Sequence, residues 1–271
     1  RLQIEGQWST KGDVFLSPSP FNAPHPFGYF GGGNSPQESK VDRVDYTNDT
    51  ATASPKGSLS LARYFLSATG NADFGYFGGG GDPGSTPYYS TVDRIDYTND
   101  TAAAVAKGPL VLARTSMVAT GNASFGYFGG GYTGSYTSTV DRVDYSNDTA
   151  NASPKGPLSA AKGYLAATGN SSFGYFGGGH PGPVTTVSRI DYSNDTPAAS
   201  PKGPLSAARR GLSATGNASF GYFGGGHPGP VTTVDRIDYS NDTATAAAKG
   251  PLSSARRYLG AASAGANGLP Q

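Results

Sequence analysis

Two histidines, His180 and His227, stand in identical His-Pro-Gly-Pro-Val-Thr-Thr segments. Matched imidazoles on neighbouring loops can ligate a metal if the loops converge. The plainer reading is duplicated turn chemistry. A second pattern, Asp96-Tyr97-Thr98-Asn99-Asp100-Thr101, sets oxygen atoms at alternate positions, as calcium loops do. A calcium loop also needs Gly at its sixth place and Glu at its twelfth. This chain has Thr101 and Lys107 there, so a turn explains the pattern better. The same turn makes Asn48, Asn99, Asn147, Asn194 and Asn241 glycan-acceptor sequons, and Asn122, Asn170 and Asn217 add Asn-x-Ser. A third group is aromatic: Tyr88 and Tyr89 with Asp82, and Tyr132 with Tyr136, lie in Ser/Thr/Gly-rich segments. A tyrosine ring stacks on a sugar or peptide face while its hydroxyl hydrogen-bonds, at low entropy cost.

Reaction chemistry is thin beside this. There is no nucleophile elbow. The Gly31-Gly32-Gly33 run and its copies lack the Lys-Ser/Thr of a phosphate cradle. The chain has 0 cysteines, which removes disulfides, thiolate metal sites and cysteine nucleophiles. No catalytic residue, metal or cofactor is expected. The net charge of +1 offers no basic excess for nucleic acid. No 18-residue apolar run exists to insert into a membrane.

What must position these residues is a repeat. Gly-Tyr-Phe-Gly-Gly-Gly begins at Gly28, Gly75, Gly126, Gly174 and Gly221, at intervals of 47, 51, 48 and 47 residues. Each copy continues through a variable segment, an Asp-Arg-Ile/Val-Asp-Tyr block or close variant, Asn-Asp-Thr, and Lys-Gly-Pro/Ser-Leu. Residues present in every copy are best read as structural, and those in one or two copies as candidates for function. Arg43, Arg94, Arg142, Arg189 and Arg236 with Asp45, Asp96, Asp144, Asp191 and Asp238 are in every copy. They read as pairs that stitch sheets together rather than as a charged binding ring. The segments after the triple glycines vary, and they hold Asp82, Tyr88, Tyr89, Tyr132, Tyr136, His180 and His227.

Each unit spells four short extended runs: an inner strand over 64–69, the aromatic–glycine strand from Phe74, the Asp-Arg strand from Val92, and an outer run over 102–106. Gly and Pro cut the Ala-rich stretches too short for helices. Four antiparallel strands in about 48 residues make a propeller blade, which buries its faces only by stacking on other blades. The expectation is an all-β, single-domain β-propeller over 1–271. Six blades are favoured, five complete and one composite: Arg1–Glu5 and 7–12 resemble its third and outer strands, and 257–264 its inner one. Five blades is the runner-up.

The double glycine Gly78-Gly79, Asp96, and the basic link residues Arg63, Arg114, Lys162, Arg209 and Arg256 resemble kelch-type repeats. The usual Trp is replaced by Ala, Thr or Ser, with Trp8 as the one tryptophan. The resemblance implies that the variable loops cluster at one mouth of the ring. It does not imply an activity, since the fold hosts both enzymes and scaffolds; kelch-borne copper-radical oxidases need a cysteine that is lacking here. The expected function is a non-catalytic recognition or assembly module. It binds a glycan or a protein surface at those loops, and it can form homo-oligomers or larger assemblies. The alternatives are a purely structural component of a larger assembly and a polysaccharide-active enzyme on the propeller scaffold. Low charge and a Gly/Ser/Thr/Tyr-rich composition suit an extracellular, virion or cell-surface setting such as a fibre or adhesin.

Overall fold

The structure is a computed structural model that describes residues 26–33, 37–48, 50–81, 87–259 and 261, and the backbone of 2–4 and 7–9. Four sheets have four strands in sequence order. Blade 2 is β6 (Ser67–Gly70), β7 (Phe74–Gly78), β8 (Val92–Asp96) and β9 (Val105–Lys107). Blade 3 is β10 (Val118–Gly121), β11 (Phe125–Gly129), β12 (Val140–Asp144) and β13 (Ser153–Lys155). Blade 4 is β14 (Ala166–Gly169), β15 (Phe173–Gly177), β16 (Val187–Asp191) and β17 (Ser200–Lys202). Blade 5 is β18 (Ser213–Gly216), β19 (Phe220–Gly224), β20 (Val234–Asp238) and β21 (Ala247–Lys249).

Blade 1 shows three strands, β3 (Phe27–Gly33), β4 (Glu38–Asp45) and β5 (Ser54–Lys56). The inner strand expected for it by repeat spacing lies outside the described residues. A separate hairpin pairs β1 (Leu2–Ile4) with β2 (Gln7–Ser9). The composite sixth blade otherwise falls on residues outside the described ones. Two expected boundaries shift: the inner strand starts at Ser67, not Tyr64, and the outer one spans Val105–Lys107. The first shift has a local cause, because Phe65 takes a left-handed conformation (φ 52°) that cannot continue a strand.

Every neighbour in these sheets is antiparallel. The inner strands surround one central cavity of about 480 Å³, lined by small side chains such as Ala68, Ala119, Ala167 and Ala214. The architecture is that of a β-propeller. Among the described residues no helix is long and apolar enough to cross a membrane.

The core is a set of slabs between blades. Tyr76, Val92 and Leu110 of the blade 2 repeat meet Phe128, Val143 and Tyr145 of blade 3 in one such cluster. The repeat's glycines make room for it. A Cβ on Gly78, Gly129 or Gly177 would lie 2.6, 2.6 or 2.7 Å from the Phe128, Phe176 or Phe223 ring of the following blade. The tyrosines stack across the same seam: Tyr76 on Tyr145, Tyr127 on Tyr192 and Tyr175 on Tyr239, with centroids 4.7 Å apart in each pair.

The charged pattern stitches blades, but with a different aspartate from the one in the strand. Asp148 of the Asn-Asp-Thr turn accepts from Tyr76 Oη (2.9 Å) and Arg94 Nη1 (2.8 Å) of the preceding blade, with Lys107 Nζ at 3.2 Å. Asp100, Asp195 and Asp242 do the same for Tyr29, Tyr127 and Tyr175. Asp96 instead caps the following 3-10 turn, accepting from the Thr98 backbone and hydroxyl. Asp96 and Asp100 therefore serve different partners and do not converge as calcium ligands.

Candidate binding mouth

Each link between blades carries a basic residue, and Arg63, Arg114, Lys162 and Arg209 anchor their links to the following blade. Leu66, Leu165, Leu212 and Leu259, three residues past the link's basic residue, line the cavity. Arg63 pairs with Asp93 at 2.9 Å and Arg114 with Asp141 at 2.7 Å, all four side chains fully buried. Arg209 pairs likewise with Asp235. Blade 4 breaks the pattern on both sides at once: Ser188 stands at the aspartate position and Lys162 at the arginine position. Lys162 Nζ donates to the Phe176 and Thr186 carbonyls and to Thr186 Oγ1, each at 3.3 Å. With no carboxylate beside it among the described residues, burial pulls its pKa down to about 8.

Two residues past each anchor the chain turns left-handed: Phe65, Ser116, Tyr164, Gly211 and Tyr258 have φ between 52° and 59°. Their backbones join into a collar. Ser116 N–H donates to Phe65 O, Tyr164 to Ser116, Gly211 to Tyr164 and Tyr258 to Gly211, at 3.0, 3.0, 2.8 and 2.7 Å. Large and small residues alternate around it. Phe65 meets Tyr164 edge-on (6.1 Å), Tyr164 meets Tyr258 (6.2 Å), and the Tyr258 ring covers Gly211. Bulky residues are rare at positive φ, and such strain persists where the surroundings over-determine it, often at functional sites. Phe65 and Tyr258 stay 42% and 56% exposed, so the strain holds their rings toward solvent.

The variable loops form a second arc beside this collar. Tyr88 meets Tyr132 edge-on at 6.0 Å, Tyr132 meets Tyr136 at 5.1 Å, and Tyr136 meets His180 at 4.9 Å. Single bridges fix the loops to the links: Thr115 to Tyr132, Gly163 to His180 and Arg210 to His227. The Tyr136 ring lies against Gly163, where a Cβ would approach to 3.1 Å, and so ties the arc to the collar. Burial, then the neighbouring Tyr164 and Tyr132, raises the Tyr136 pKa, which keeps its hydroxyl protonated.

Four of the expected residues, Tyr88, Tyr132, Tyr136 and His180, thus form one surface. Tyr89 is half-buried and held by its backbone to Gly80 and Arg114; among the described residues its ring joins none of these pairs. Asp82 lies outside the described residues. The histidines are occupied separately. His180 Nδ1 accepts from Arg210 Nη1, and burial and that guanidinium both lower its pKa, favouring the neutral ring. His227 Nδ1 faces the Gly229 N–H at 3.1 Å and Arg257 Nη1 at 3.2 Å. A cationic donor on each Nδ1 opposes a metal there, and among the described residues no three His, Asp or Glu gather as a metal site.

The collar residues Phe65, Tyr164 and Tyr258, and Arg210 with Arg257, were not among the sequence candidates. A signal existed: the residue two past each anchor reads Phe, Ser, Tyr, Gly and Tyr inside otherwise near-constant repeats.

No protein-family model matches this chain, and no curated protein matches it. Solved structures do match. The structure of YjhT aligns with a TM-score of 0.72, covering 87% of this chain and 84% of that one, at 14% identity. At that identity the likeness shows the fold alone: a propeller-like ring of repeated antiparallel sheets.

Proposed function

We propose that the chain is a non-catalytic recognition module of the kelch-like type that binds glycan at the aromatic mouth, in an extracellular, virion or cell-surface setting. One observation carries the reading: Tyr88, Tyr132, Tyr136 and His180 run as a continuous arc beside Phe65, Tyr164 and Tyr258. Flat rings edged with hydroxyls and arginines suit a sugar's apolar face and its hydroxyl groups. Single sites of this kind are weak, and repeated display would raise avidity. The buried link arginines and the left-handed double glycines support the kelch-like assignment.

A glycan array with the protein displayed multivalently tests this. A selective hit that is lost in the Tyr132→Ala, Tyr136→Ala double variant is the expected result. Retained binding in that variant, or turnover of a polysaccharide in place of binding, would count against the reading.

A second reading, a structural component of a larger assembly, is favoured by blade 5, whose outward face has no neighbour among the described residues of the kind the other blades have. Lys249 is exposed there, whereas Lys56, Lys107, Lys155 and Lys202 are mostly buried.

A further inference from the structure

The repeat shows four times what the trailing face of a blade binds. In blades 1 to 4, a Tyr hydroxyl and an Arg Nη1 donate to one carboxylate oxygen of the next blade's turn, at 2.8–2.9 and 2.7–2.8 Å. A Lys Nζ lies 3.1–3.3 Å from the other oxygen. The glycine after that Lys donates its N–H to the same aspartate's backbone carbonyl: Gly57 to Asp100, Gly108 to Asp148, Gly156 to Asp195 and Gly203 to Asp242. A phenyl ring then fills the slot over the strand glycine.

Blade 5 repeats every donor. Tyr222 and Arg236 face each other across β19 and β20, and Lys249 pairs with Val234 at the end of β21. Gly224 and Gly250 stand at the two glycine positions. Among the described residues no carboxylate reaches Tyr222, Arg236 or Lys249. A Cβ on Gly224 would find its nearest described neighbour at 3.7 Å, and one on Gly250 would find none within 4 Å. Blade 1 carries the matching turn in its sequence, with Asp49 outside the described residues; its Phe30 is 66% and its Tyr46 58% exposed, unlike Phe128, Phe176 and Phe223 at 0%, so these two rings are not packed into the slot. Residues 1–25 and 260–271 contain no Asn-Asp turn.

We infer that Tyr222, Arg236, Lys249 and the Gly250 N–H form a receptor for an aspartate-bearing turn of a partner protein built from the same repeat, with the partner's phenyl ring over Gly224. The assembly reading thereby gains its contact surface, and failure of this inference leaves the mouth reading untouched. Charge complementarity names the occupant: two cations and a phenol hydroxyl set for one carboxylate, as in four filled copies.

The test titrates the full chain with a labelled peptide copying residues 234–246, which carries the Tyr239 ring and the Asp242 carboxylate. Saturable sub-millimolar binding is expected. It should weaken at least tenfold for the peptide with Asp242→Asn, and at least tenfold for the protein with Lys249→Ala. Lys249 is exposed, so that variant should fold; Arg236→Ala is the second variant, checked for folding by circular dichroism. No saturation by 5 mM, or equal binding of the Asn peptide, or undiminished binding by Lys249→Ala, would overturn the inference. A socket already filled by the chain's own ends would give the first of these results.

Discussion

Lys162 offers a sharp quantitative test, because its charge is buried with no carboxylate beside it among the described residues. Its side chain is 1% exposed and its pKa lies near 8, against 10.5 for a free lysine. The unfolded chain therefore holds the proton more tightly than the folded one. Below pH 8 both states are charged and folding bears the whole cost of burying the cation. Between pH 8 and 10.5 the unfolded state binds more protons, so stability rises with pH. A gap of about 2.5 pKa units is about 3 kcal/mol at pH 7, and about 1 kcal/mol of that remains at pH 10.

Lys162→Met removes this dependence. The variant also loses donors to the Phe176 and Thr186 carbonyls, a cost that does not vary with pH. The stability difference, variant minus parent, should therefore fall by about 2–3 kcal/mol between pH 7 and pH 10. Urea unfolding of both proteins at matched pH values measures it, and the subtraction cancels the ionisation of tyrosines and of every other shared group. A difference that stays constant with pH would refute the claim that Lys162 is charged and unpaired in the folded protein.

Other consequences follow from the seams between blades. Asp148→Asn removes the negative charge and one of the two oxygens that Tyr76, Arg94 and Lys107 share, sets an NH2 against one of those donors, and should destabilise the fold by about 2–4 kcal/mol, read by chemical denaturation; a change below about 0.5 kcal/mol would show that the network carries no stability. Gly129→Ala drives a methyl to 2.6 Å from the Phe176 ring and should cost about 1–3 kcal/mol. Gly224→Ala, with its nearest described neighbour at 3.7 Å, should be close to neutral, and a thermal melt as depressed as that of Gly129→Ala would place a packed ring against blade 5. Tyr258→Gly relieves a left-handed tyrosine and should raise stability by up to about 1 kcal/mol while weakening mouth binding. A lower melting temperature would mean that the ring's packing outweighs the strain.

The architecture was legible because the repeat states it many times over. A glycine in every copy of the aromatic strand implies close approach, and among the described residues each one except Gly224 meets a ring of the next blade or of its own. The division of labour between aspartates was not legible. Asp96 and Asp100 lie four residues apart in one turn, and only the register shows that the first caps while the second crosses to the neighbouring blade. The loop aromatics could be picked out because they differ between repeats and sit between turn residues. The collar aromatics differ just as much, but Phe65 and Tyr164 look like the first residues of the inner strand. Their left-handed φ, which turns them toward the mouth, has no sequence mark in a non-glycine residue. Lys162 and Ser188 are 26 residues apart in the sequence, and their joint departure from Arg and Asp gains meaning only when the link is seen to lie over the third strand.

The most direct test of the mouth is a calorimetric titration with the glycan that the array selects. The parent, the Tyr132→Ala, Tyr136→Ala variant, and a rim variant, Asn194→Ala at an exposed turn away from the collar, would be compared. A loss of at least tenfold in the mouth variant, with the rim variant unchanged, is the expected result. Full affinity in the mouth variant, or a loss confined to the rim variant, would contradict recognition at the aromatic arc.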